Sequence, residues 1–153
     1  MAGLIAGRNT PELAEDREYP YPVEANTNIY LGALIALNAA GNAVPMSAIV
    51  GLKVLGRAER VHDSQYPGEN AINNPGAAGA ISIVARRGVF LFNNSATHAI
   101  TQANVGGVAF AEDDHTVANS DETATLSAAG RIVAIDISGQ IWVDTRFPFA
   151  IAA

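Results

Sequence analysis

Short apolar runs alternate with turn-forming residues along this chain at intervals of roughly ten residues, a spacing that predicts a small β-barrel or sandwich. Ile29 to Leu37 is apolar and is closed by Asn38-Ala39-Ala40-Gly41-Asn42, after which Ala43-Val44-Pro45 can return as the second arm of a hairpin. Ile49 to Glu59 forms a second strand region, in which Gly51 and Gly56 mark bulges or close backbone approaches. Ala80 to Phe92 reads as one strand that is apolar on both faces, with Ile81, Ile83, Val89 and Leu91 on one side and Val84, Phe90 and Phe92 on the other. Such a strand is buried on both sides, inside a closed barrel or at a subunit interface. Thr101 to Val105 predicts a single helical turn ended by Gly106-Gly107, and Val108 to Ala111 and Thr116 to Ala118 predict short strands. The last element is a hairpin. Arg131 to Ile137 runs into Ser138-Gly139, and Gln140 to Arg146 returns, with Asp136 and Asp144 interrupting its apolar series.

Two segments depart from this rhythm. Residues 1–22 carry Arg8, Glu12, Glu15, Asp16, Arg17 and Glu18, then Tyr19-Pro20-Tyr21-Pro22. Thr10-Pro11 can open one helical turn, but Pro20 and Pro22 enforce extended geometry. The segment still keeps Leu4, Ile5, Leu13 and Tyr19, an apolar content that predicts a docked N-terminal arm rather than a free tail. The second segment, His62 to Gly79, is rich in Pro, Gly and Asn and lacks periodicity, so it reads as a long loop. The expected organisation is an extended arm, residues 1–22, followed by a single all-β domain, residues 23–153, with short helical turns.

Composition narrows the function. Of 153 residues 49% are apolar and 16% charged, enough to build a core and too little charge for a disordered chain. The net charge is −6, Lys53 is the only lysine, and only Arg86-Arg87 are adjacent cations. Nucleic acid and anionic membrane are therefore poor partners. There is no cysteine, which excludes disulfides, thiolate catalysis and cysteine-ligated zinc. Met1 to Gly7 lacks the charged region of a signal peptide, and no apolar run is long enough to span a bilayer.

The chemistry-bearing residues form no recognisable motif. His62, His98 and His115 have no i, i+4 partner, so any metal site needs long-range convergence. Asp113-Asp114-His115 offers hard ligands but not the calcium-loop spacing, and reads as a solvated acidic turn. No nucleophile elbow or phosphate-binding loop is present. The expectation is no catalytic residue, no cofactor and no metal. Arg86 and Arg87 lie in an apolar stretch and point to opposite faces. With Phe90 and Phe92 they are candidates for a subunit interface, because an unpaired buried guanidinium is costly; an edge strand with exposed arginines fits the same pattern equally well.

One family shares the order of these phrases. Arg8-Asn9-Thr10-Pro11-Glu12 is followed by an aromatic-Pro-Val segment, then by Ile29-Tyr30-Leu31-Gly32-Ala33-Leu34-Ile35-Ala36-Leu37-Asn38 and Gly41-Asn42-Ala43-Val44-Pro45. Gly56-Arg57-Ala58-Glu59 and Ala85-Arg86-Arg87-Gly88-Val89-Phe90-Leu91-Phe92-Asn93-Asn94-Ser95 complete the series. Over roughly Arg8 to Val143 this resembles the capsid cement, or head decoration, proteins of tailed bacteriophages with Mu-like and related heads. The resemblance implies a non-enzymatic β-rich protein that binds the outer face of the shell and braces it. It implies the major capsid protein as partner, a homo-oligomer with a trimer favoured, synthesis in the host cytoplasm and a final place on the virion surface. On that reading Leu4, Ile5, Arg8, Asn9, Thr10, Pro11 and Leu13 of the arm grip the shell or a sister subunit. Two other classes fit the size and strand content: a small trimeric barrel hydrolase of the dUTPase kind, and a carbohydrate-binding or adhesion module. The first lacks recognisable nucleotide motifs, and the second has few aromatics beyond Tyr66 to offer a sugar.

Overall fold

A computed structural model describes residues 18–61 and 71–146. It holds twelve strands: Glu18–Pro22 (β1), Thr27–Tyr30 (β2), Leu34–Leu37 (β3), Ala43–Pro45 (β4), Lys53–Val61 (β5), Ala71–Asn74 (β6), Ser82–Arg86 (β7), Val89–Asn94 (β8), Val108–Ala111 (β9), Thr116–Ala118 (β10), Ser127–Ile135 (β11) and Ile141–Asp144 (β12). A 3-10 turn at Gln102–Asn104 is the helical turn expected before Gly106-Gly107. The class is all-β.

The strands form three layers. A five-stranded sheet in the order β1-β7-β5-β3-β4 lies in the middle, a closed barrel of β10-β8-β12-β11-β9 covers one face, and the β2-β6 ribbon covers the other. All barrel pairings are antiparallel except β8 with β10, which is parallel and completes the ring. The packing follows strand alternation. Leu34 and Ala36 of β3 join the barrel core beside Ile132, Ile141 and Val143. Ile35, between them, joins Leu55 and Ile83 of the sheet and Ile29 and Ile72 of the ribbon. All three β3 side chains are fully buried, so β3 serves both cores.

Turn chemistry explains the hairpins. In the β3–β4 hairpin, Asn38 Oδ1 accepts from the backbone N–H of Ala40 and Asn42, each at 3.0 Å, and the Asn38 amide donates to the Glu24 carboxylate. In the β11–β12 hairpin, Gly139 takes φ +87° and Asp136 Oδ2 accepts from the Ser138 N–H at 3.0 Å. Both hairpins stand where the sequence placed them, as do β9, β10 and the 3-10 turn.

Four expectations change. The stretch Ala80 to Phe92 is two strands, broken at Arg87-Gly88 where the chain leaves the sheet for the barrel. Its two apolar faces therefore belong to different layers: Ile83 and Ala85 to the sheet core, Phe92 to the barrel core. The run Ile29 to Leu37 is likewise divided, by a turn at Leu31-Gly32 with Gly32 at φ +91°. The long loop contains a strand, β6, paired antiparallel with β2 through Ile29–Ile72 and its neighbours. Gly56 is the close approach that the sequence suggested. It takes φ +129° beside a register shift between β3 and β5, and a Cβ there would lie 2.2 Å from the Arg86 carbonyl oxygen. Gly51, at φ +89°, belongs to the turn before β5 instead.

Candidate functional site

The arm residues Leu4, Ile5, Arg8, Asn9, Thr10, Pro11 and Leu13 lie outside the described residues. The four interface candidates do not share a face. Phe92 is only 4% exposed and fills the barrel. Phe90 is half-buried at the barrel rim, where the Arg57 guanidinium stacks 4.4 Å from its ring centroid, and this contact joins sheet to barrel. Arg86 ends β7 exposed. Arg87 is half-buried, and its Nε is buried without a hydrogen-bond partner among the described residues.

Apolar side chains remain on the surface. Val108 stands opposite Arg131, Arg131 opposite Asp144, and Asp144 opposite Val89, so one row crosses β9, β11, β12 and β8 on the outside of the barrel. Val108 and Val89 in that row are exposed, as is Val133 at the β11 bulge. Ile49 and Val50 sit in the turn before β5. That turn is tied to the barrel by Ser127, whose Oγ accepts from the Leu52 N–H at 2.9 Å and donates to the Ile49 carbonyl at 2.6 Å. Within the outer row, Asp144 is buried while Arg146 forks its carboxylate through Nε and Nη2, both at 2.9 Å. The Arg146 side chain and backbone N–H hold the Asp144 pKa below the usual aspartate range against the opposing cost of burial.

Two clusters of titratable groups stand at barrel loops. Asp113, Asp114 and His115 form an exposed turn in which Asp114 hydrogen-bonds the His115 ring at 2.7 Å and raises its pKa. Asp113 and Asp114 are half-buried, His115 is exposed, and the ligand atoms of the three lie within 4.8 Å of one another. The other cluster, His98, Glu112 and Glu122, joins residues from three connections, and its ligand atoms all lie within 4.8 Å of one another. His98 follows β8, Glu112 follows β9, and Glu122 precedes β11. Buried Ser95 organises the first two. Its Oγ donates to the Glu112 carboxylate and accepts from the His98 N–H at 2.9 Å. The Asn119 backbone N–H donates to the His98 carbonyl at 3.0 Å. No short-range motif in the sequence announces this convergence, since the three residues are separated by whole strands.

With the architecture defined as a closed five-stranded barrel on a five-stranded sheet, comparison with known proteins becomes informative. No family model matches the sequence, and no curated protein matches it. Among solved structures, a chain of the capsid of Myoviridae phage XM1 is similar in fold, with a TM-score of 0.51 over 94% of each chain at 13% identity. The fold is thus one found in a phage capsid.

Proposed function

We propose that this protein is a non-enzymatic structural component of a tailed-phage virion that binds the outside of the capsid and stabilises it. The observation that carries the reading is the fold likeness to a capsid chain, which spans nearly the whole of both chains. The order of sequence phrases resembling cement proteins points the same way. Exposed Val108, Val133, Ile49 and Val50 suit a protein that acts by contact. On this reading the partner is the major capsid protein, the protein assembles as a homo-oligomer with a trimer favoured, and the arm makes the principal grip. Many modest contacts repeated over a symmetric shell then add to high avidity.

The test uses phage heads made without this protein. Full-length protein is added back, its position is mapped by cryo-microscopy, and the temperature of genome release is measured. Density on the outer surface and a higher release temperature are expected. Removing residues 1–17, which spares β1, is expected to leave the circular-dichroism spectrum intact and reduce occupancy at least tenfold. Absence of the full-length protein from the head would sink the reading, and unchanged occupancy after truncation would remove the arm from it.

A further inference from the structure

The His98, Glu112 and Glu122 cluster has no part in the virion reading and stands independently of it. Two carboxylates and an imidazole meet at one place, and among the described residues no lysine or arginine lies within ion-pair distance of Glu112 or Glu122. His98 Nδ1 lies 2.8 Å from Glu122 Oε1, within ion-pair distance, and the imidazole is partly exposed at 37%. The donors are also supported from behind, Glu112 by the Ser95 hydroxyl and the His98 backbone by Ser95 Oγ and Asn119, as ligands of metal sites are.

We propose that His98, Glu112 and Glu122 bind a divalent transition-metal ion of the zinc class. The donor set decides the class. One imidazole with two carboxylates suits zinc, whereas calcium and magnesium take oxygen ligands almost alone and in greater number. A tetrahedral ion with bonds of about 2.0–2.1 Å sets its ligands about 3.3–3.4 Å apart, and donor atoms within 4.8 Å reach that spacing by side-chain adjustment. Two carboxylates balance the dication, and a fourth position is left for water. The bound ion ties the connections after β8, after β9 and before β11 into one unit, so its effect is on stability.

The experiment titrates chelator-treated full-length protein with zinc chloride by calorimetry and follows thermal unfolding, with calcium and magnesium chlorides as comparisons. One zinc per chain is expected. Unfolding is expected to rise by about 5–10 °C at a zinc concentration 100-fold above the dissociation constant, with little response to calcium or magnesium. Glu122→Gln and His98→Ala, checked for folding by circular dichroism, are each expected to weaken zinc binding at least tenfold. His115→Ala, in the neighbouring acidic turn, is expected to leave it unchanged. Cobalt substitution is expected to give the visible absorption of a four-coordinate site. The proposal is overturned by absence of zinc binding at 100-micromolar concentration, about the weakest affinity of interest. It is equally overturned by binding that survives both cluster variants, or by binding that is lost in His115→Ala.

Discussion

Asp144 shows how a charge is held on an apolar strand. Strand alternation puts Arg146 on the same face two residues on, and the guanidinium grips both carboxylate oxygens. Because the folded state holds this pKa below its ordinary value, the pair's contribution is fully present above the unfolded value of about 3.9 and is lost as pH falls through the folded one. Asp144→Asn is expected to cost about 1–2 kcal/mol at pH 7, the low end for charged hydrogen bonds because Arg146 is solvent-exposed. The variant is also expected to lose less stability than the parent between pH 4 and pH 2. Urea unfolding at several pH values checks both. The sequence marked Asp144 as a break in the apolar series. Alternation of Ile141, Val143 and Thr145 with Trp142, Asp144 and Arg146 also set Arg146 on the same face, but it did not show that Asp144 is buried there. The His98 cluster was less legible still, since its members meet only when the barrel closes.

At the scale of elements, legibility tracked distance along the chain. Both β-hairpins are specified by their own turns, Asn38 in one and Ser138-Gly139 in the other, and the sequence placed both. The strand β6 was hidden because its pairing with β2 crosses more than forty positions, and Asn- and Pro-rich neighbours disguised it. The break at Arg87-Gly88 was hidden because a change of layer leaves apolar alternation intact. The edge strand β1 carries its own device. Val23 donates inward to Ile81 at 2.9 Å, so by alternation the odd-numbered residues of β1 point their N–H groups toward β7 and the even ones point outward. The outward positions include Pro20 and Pro22, which have no N–H to give. The sheet is thereby closed to further pairing on that side. Replacing both prolines by threonine is expected to leave the fold in place and to promote concentration-dependent self-association, read by light scattering at increasing protein concentration. A monodisperse variant, unchanged from the parent, would show that the prolines do not guard this edge.

The whole molecule turns on β3. Because Leu34 faces the barrel and Ile35 faces the ribbon, neither core is complete without that strand. Leu34→Ala and Ile35→Ala are each expected to destabilise by about 2–5 kcal/mol, and each is expected to lower one shared transition seen alike by tryptophan fluorescence and far-ultraviolet circular dichroism. Trp142 lies in the barrel, on β12, so fluorescence reports one layer and circular dichroism all three. Separate transitions would show that the layers unfold independently.

The strands of the middle sheet and ribbon all fall within residues 18–86, and those of the barrel within residues 89–144. A nascent chain therefore completes the first set while the side that bears Leu34, Ala36 and Met46 still lacks its cover. At about 5–20 residues per second, the 58 residues from 87 to 144 take about 3–12 s to make. The barrel cannot close sooner, because β12 is the strand that joins β8 to β11. Each newly made copy thus passes through seconds in which an apolar sheet face is open to its neighbours on the same message, and crowded late synthesis is the condition under which this protein is most exposed to misassembly.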